Sequence, residues 1–589
     1  MTRLINDAQR FAAESLSGFA AAHSDDVHLV PDAGVTSTEA PEAAQVAVVM
    51  GGGSGHHPAF LGWVGPGLVN GAVSGNIFSS PSAAQVVRVA QSASQGQPVL
   101  LLPINYAGDI LHFSEARDRM RADGHDVRLV AVTDDIASAP AEDAAARRGI
   151  AGSFIVAKIV GAAVQSGAGI DDIERLARRA NDATRSLGLA FSGCTLPGSP
   201  GPNFDVPDSK MALGLGIHGE PGLRMLDLES ADHAADVLVD EMFQERAPLS
   251  GARVAVLVNG LGSTKYDELH VLFSRIAQRV ESAGMTLVAP VVDELVTSLD
   301  MAGASLSITY LDDEMEELWR APAHSPAFTR RAPEDRSATP TRTTTAPKRT
   351  ATRPDDSASP TDDAHEPASE ASVRLAAQIA DALDVAASEM DVRADELARL
   401  DSVAGDGDHG ACMQRGSRAA HAAASEAVSR GAGAALAAAG DAWSEVGGGT
   451  SGALWGAGLR AAGERVDGDD RPAADVLRTT VEAFALTIAE RGGASVGDKT
   501  MIDAIAPFSS ALSASIGSGE APATAWHSAA VSAASSAQRT AEITARRGRS
   551  RTHGDASLGT PDPGAISFAL IVAALDQQAE RTAADGTGR

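Results

Sequence analysis

Cysteine is almost missing from this chain: Cys194 and Cys412 are the two in 589 residues. Two distant thiols build no disulfide framework, and neither sits in a CxxC metal spacing, so a reducing cytoplasm is the expected setting. Aromatic residues are scarce, at 4%, which leaves the cores to small side chains packed closely. Positive charge is in deficit: 48 Lys and Arg stand against 77 Asp and Glu, a formal net charge of -29. A surface of that sign repels a nucleic-acid backbone and an anionic membrane, which argues against both as partners. An anionic reactant would need a local device such as a metal ion. Long apolar runs are lacking too. Residues 1–20 carry polar and acidic side chains, unlike a signal peptide, and later Ala-rich stretches are broken by charge before they reach the length of a membrane span.

What is present is length enough for several folding units. From 322 to 371 the composition turns to Pro, Thr, Ser, Arg and Asp with almost no large apolar residue. Such a stretch buries too little surface to offset its ordering entropy and reads as a disordered linker. Before it, β-rich runs at 46–50, 99–103, 127–132, 254–258 and 287–292 alternate with helical patterns such as 265–280. That alternation predicts an α/β half, 1–321, and the Gly/Pro-rich stretch 193–222 divides it into subdomains of about 1–182 and 183–321. After the linker, 372–589 shows Ala-rich helical patterns between Gly-rich breaks and no strand run, which predicts an all-α half.

Three loops in the first half carry candidate chemistry. Gly51-Gly52-Gly53-Ser54-Gly55-His56-His57-Pro58 follows a strand, where glycines allow close ligand approach and offer amide donors; alone, it is equally a tight turn. It lacks the GK[ST] of a Walker A loop. Asn105-Tyr106-Ala107-Gly108-Asp109 puts a carboxylate at the same sheet edge, where it could share a substrate proton or merely cap a helix. In Gly214-Leu215-Gly216-Ile217-His218-Gly219-Glu220-Pro221-Gly222 a histidine sits among glycines, open to add to a carbonyl carbon or simply to hydrogen-bond.

Together these segments resemble the substrate domain of the dihydroxyacetone kinase family, whose hallmarks are the GGGSGH, NY-x-GD and GIHGEPG loops. The resemblance implies that a ketose is held as a hemiaminal on His218, with His56 and Asp109 handling the hydroxyl proton and Gly53, Ser54 and Gly55 lining the substrate. A reversible covalent bond would give affinity to a molecule too small to offer much contact area.

In the second half, Asp401, Asp406 and Asp408 lie within one Gly-containing turn, a density of hard oxygens that suits Mg²⁺ or is simply a solvated acidic loop. The loop Gly447 to Gly452 precedes a helical pattern, a place that favours phosphate or close helix packing. The segments 497–503 and 562–565 read alone as helix caps. This set resembles the same family's nucleotide domain, an α-helical barrel. That likeness implies Mg²⁺ on the three aspartates and ATP lined by His409, Gly410, Ala411, Cys412, Thr450, Ser451, Gly492, Met501, Asp562, Pro563 and Gly564. It also implies a homodimer through the first domain, with a small ketose and ATP as reactants.

Two departures stand out. Many family members have Lys where this chain has Ile104, and GERS where it reads Gly554-Asp555-Ala556-Ser557. The first, with HHPAF in place of HEPAH, turns the expected substrate towards a four-carbon ketose, erythrulose ahead of dihydroxyacetone. A phosphoprotein-dependent phosphotransferase and a non-catalytic ketose-sensing regulator are the rival readings. A side activity cyclising FAD is compatible with the family, and nothing in the residues selects for it.

Overall fold

The computed structural model describes residues 4–39, 46–199, 201–220, 222–331, 368–403, 405, 407–466, 471–547 and 557–586. The expected linker lies, but for its ends, outside the described residues. So do Asp406, Pro221 and Gly554 to Ala556.

The first half holds two sheets. In the first, the spatial order is Val27–Val30, Gly34–Ser37, Gly71–Ile77, Ala47–Ser54, Val99–Leu101 and Val127–Leu129. The last four run parallel, and the first two add an antiparallel edge. Ala47–Ser54 is buried on both faces up to Gly53, which is why it reads as a continuous run and not an alternation. Parallel pairing has a functional consequence: the segments after Ala47–Ser54, Gly71–Ile77 and Val99–Leu101 all leave from one edge.

The second sheet is built on Arg253–Gly260, Gly303–Leu311 and Thr184–Ala190, with Lys210–Leu213 and Arg224–Asp227 beyond. The expected strand at 287–292 is broken into Thr286–Leu287 and Val291–Asp293, because Ala289 takes a left-handed φ of 43° just before Pro290. The chain stays with this half past residue 321. A hairpin of Ala323–His324 and Thr329–Arg330 donates from its own amides to Pro66 and Gly62, and it seats Ala323 in the core.

In the described part of the second half the regular elements are helices. Eight α-helices, from Glu370–Asp401 to Pro563–Gly586, each pack on the next, and the last returns to the first, closing a ring. Small residues let their backbones approach, and a stacked Trp443–Trp455 pair (centroids 4.6 Å apart) fills the interior beside Phe568. Among the described residues no helix is long and apolar enough to cross a membrane.

Candidate active site

The Gly51 to Pro58 loop is stitched to the second sheet. Gly55 and His56 offer carbonyls to the amides of Leu299 (2.8 Å) and Thr297 (3.2 Å), and the Thr297 hydroxyl donates to the carbonyl of His57 (2.8 Å). His56 Nδ1 in turn donates to the Thr297 carbonyl (2.8 Å), which leaves Nε2 as its acceptor. That Nε2 lies 3.0 Å from Nε2 of His218, brought over by the loop after Lys210–Leu213.

Two bare nitrogens at that distance would repel, so a proton lies between them. On the other side of His218, Nδ1 donates to Glu220 Oε1 (3.2 Å), while Glu220 Oε2 accepts from the His218 amide (3.0 Å). Gly216 makes this possible: a Cβ there would fall 2.0 Å from the Glu220 carboxylate. Behind it, Arg148 pairs with Asp135 (2.8 Å) and approaches Glu220 (3.6 Å).

Electrostatics follows burial. Burial, then the neighbouring His218, pushes the His56 imidazole down to about 3, so it stays neutral at ordinary pH. Burial would raise the Glu220 carboxyl, but Arg148 and then His218 hold it well below the usual carboxylate range. Phe78 and Tyr106 close edge-on over His218, at centroid distances of 5.0 and 4.6 Å.

Asp109 is buried in the first turn of helix Ala107–Ala122. The His56 loop and the His218 loop thus meet at one edge, and the segment leading to Asp109 joins them through Tyr106. A cavity of about 350 Å³ adjoins Gly53, Ser54, Gly55 and His56 on one side and Leu16 and Phe60 on the other. His218 and Asp109 are not among its walls, so it lies behind the glycine loop. Ile104 is buried in the core cluster with Phe60, a dry wall where a lysine would have brought charge.

The residues expected around the nucleotide meet only in part among the described positions. Asp401 ends its helix and accepts from the amide of His409 (3.3 Å), and the His409 ring reaches Ser567 Oγ (3.0 Å). Burial, then the charge of Asp401, pushes the Asp408 carboxyl up to about 6. Such a pair of hard, mutually repelling oxygens fits a divalent cation. Asp562 caps its helix through the amide of Ala565 (2.7 Å), and Met501 packs 3.3 Å from where a Cβ of Gly564 would be. Lys499 ties this rim together from beneath, donating to the carbonyls of Ile543 (3.1 Å), Ser557 (2.5 Å) and Thr560 (2.7 Å). Gly410 and Gly492 face helix neighbours, Ala394 and Leu454 respectively, and Cys412 is buried near Arg415.

Thr450 and Ser451 open helix Gly449–Val466, and this turn lies against the first half. His112 Nε2 donates to the Gly449 carbonyl (3.1 Å), and a Cβ on Gly108 would sit 3.3 Å from the Thr450 amide. Ion pairs rim the junction: Glu115 with Arg119 (2.7 Å), Arg460 and Arg491 (3.7 Å), Asp441 with Arg119 (2.9 Å) and Arg460 (2.7 Å), and Arg88 with Glu445 (2.7 Å). The Gly447 to Gly452 loop and the Asp109 helix are therefore neighbours.

Glu220 was legible inside the GIHGEPG loop, though only as part of a motif. Arg148, Thr297 and His112 carry no local signal, because their partners are far away in sequence.

Comparison with known proteins gives a consistent picture. Residues 17–327 match the Dak1 domain and residues 403–577 the DAK2 domain. The chain is 49% identical to L-erythrulose 1-kinase of Mycolicibacterium smegmatis, over 99% of this chain and 100% of that protein. It is 44% identical to D-erythrulose kinase of the same organism, over 97% of each. The crystal structure of dihydroxyacetone kinase from C. freundii in complex with AMP-PNP and Mg²⁺ superposes with a TM-score of 0.51 at 27% identity, covering 98% of this chain and 99% of that one.

Proposed function

The chain belongs to the dihydroxyacetone kinase family, and from that premise we propose that it transfers the γ-phosphoryl group of ATP to a terminal hydroxyl of a short ketose, erythrulose ahead of dihydroxyacetone. The observation that carries the reading is the imidazole pair, with His218 Nε2 set 3.0 Å from His56 Nε2 and its other nitrogen on Glu220.

This arrangement suits reversible capture of a carbonyl. The proton between the imidazoles passes to the carbonyl oxygen, which frees the Nε2 lone pair of His218 to bond to the carbonyl carbon as the C=O π pair moves to that oxygen. The product is a neutral hydroxyl on a hemiaminal carbon, with the positive charge of the substituted ring facing the Glu220 carboxylate. Addition also parts the two imidazoles, which frees His56 Nε2 to accept from a substrate hydroxyl. Asp109, buried in the first turn of helix Ala107–Ala122, would be the alternative acceptor.

Asp401, Asp406 and Asp408 would hold Mg²⁺, which when bound neutralises phosphate charge. The first turn of Gly449–Val466 presents amides and the Thr450 and Ser451 hydroxyls to the phosphates. Its seat against the Asp109 helix supports transfer between the halves, and the covalent fusion favours ATP over a phosphoprotein as donor.

Preference for a four-carbon ketose is supported by the names of the two relatives and by the buried Ile104. A coupled ADP-release screen over dihydroxyacetone, both erythrulose enantiomers and glyceraldehyde tests all of this. Turnover with ATP alone, fastest with an erythrulose and abolished by His218→Ala, is the expected result. Better efficiency with dihydroxyacetone would reverse the substrate ranking, and activity that survives His218→Ala would end the hemiaminal.

A further inference from the structure

Ser79 has no task in the scheme above. It lies just past strand Gly71–Ile77, is 3% exposed, and its hydroxyl has no hydrogen-bond partner among the described residues. A buried hydroxyl left in that state is destabilising unless a ligand completes it.

The surroundings identify the ligand. On one side the turn bears on the ketose loop, for a Cβ on Gly53 would lie 2.6 Å from the Ser79 nitrogen. On the other, a Cβ on Gly448 would lie 3.0 Å from Ser79 Oγ, and one on Gly449 3.6 Å. Gly449 begins an 18-residue helix, whose first turn offers amides and the positive end of a dipole. A cavity of about 180 Å³ touches Ser79, Ser80 and Gly448 together. Two carboxylates also line it, Asp32 and Glu445, the second paired with Arg88 at 2.7 Å. The unfilled donor thus points from the ketose side at an anion-favouring turn on the nucleotide side.

We propose that Ser79 is a catalytic residue that hydrogen-bonds the phosphoryl group in transit, opposite the amides of the Gly449 turn. The inference rests on the ketose kinase reading and names a contact that reading lacks. As the terminal hydroxyl oxygen bonds to the γ-phosphorus, the bond to the β,γ-bridging oxygen breaks and ADP leaves with that electron pair. The hydroxyl proton goes to Asp109 or His56. Ser79 makes no covalent bond; it donates to a non-bridging oxygen, where charge spreads in the transition state.

The test uses the full chain with Mg-ATP and erythrulose. Ser79→Ala should lower kcat on the order of 10²-fold, with both KM values within about threefold, and Ser79→Thr should recover most of the rate. Affinity for ADP with aluminium fluoride should fall in parallel, while affinity for AMP-PNP stays unchanged and the melting temperature does not fall. If Ser79→Ala keeps kcat within about threefold of an active wild type, the proposal is overturned. It is overturned equally if AMP-PNP affinity or melting temperature falls along with kcat, since that is a structural role. A wild type inert toward every ketose would sink the kinase reading itself, and this contact with it.

Discussion

Glu220 decides which nitrogen of His218 is left free of a carboxylate. Its carboxylate occupies Nδ1, at 3.2 Å, so Nε2 is the atom left for the proposed chemistry. Glu220→Gln keeps the shape but loses the charge that would stabilise the substituted, cationic ring of the proposed adduct. We expect kcat/KM for the ketose to fall on the order of 10²-fold with the KM for ATP unchanged, measured by ADP release. His112 yields a pH prediction. Burial pushes its imidazole down to about 4, with Glu115 and the Gly449 carbonyl acting upward and Arg460 and Arg119 downward. The unfolded chain, titrating near 6.5, therefore binds a proton that the folded chain refuses. Stability from this group is complete above about pH 6.5 and is lost as pH falls towards 4, with a slope of at most about 1.4 kcal/mol per pH unit. Burial raises the carboxyls of Asp562 to about 7 and Asp134 to about 6, and these act with the opposite sign. The comparison must accordingly be differential: denaturant unfolding at pH 5 and pH 7 should show a flatter pH dependence in His112→Asn than in the wild type.

At the scale of elements, the strands that carry the site were legible because burial on both faces writes them as unbroken apolar runs, as in 47–50 and 99–101. Their loops were legible because glycines and polar residues punctuate them. The hairpin at 323–330 was not, since its strands have two residues each and no pattern can emerge from so few. Nor was the arrangement of Arg148 behind Glu220, or of Ser79 beneath Gly448, because contacts across the fold leave no mark on spacing. Gly410 shows the limit of motif reading. A Cβ there would lie 1.9 Å from the Ala394 carbonyl, so close packing of helices His409–Ala427 and Glu370–Asp401 already requires glycine. Gly410→Ala should cost about 1–3 kcal/mol from overpacking in nucleotide-free protein, measured by denaturant unfolding. An unchanged midpoint would return the residue to a purely ligand-facing role.

For the whole molecule the decisive feature is the junction of the two halves, where Glu115, only 6% exposed, gathers three guanidinium groups. Exposed pairs contribute little, but a buried hub that loses its partner leaves charge uncompensated. Arg460→Glu should reduce turnover about tenfold or more, and adding Glu115→Arg should restore part of it. The restored rate should weaken as salt is raised, since its outer pairs are solvent-accessible. Failure of the double reversal to recover any activity would show that the ion pairs do not set the register of the halves.

The helix Phe11–Ala22 lends Ala12 and Leu16 to both cavities, the one behind the glycine loop and the one beside Gly448. Any displacement of that helix alters a wall of both cavities at the same moment. The shape of the chamber behind the glycine loop and that of the one beside Gly448 are thereby tied to a single support.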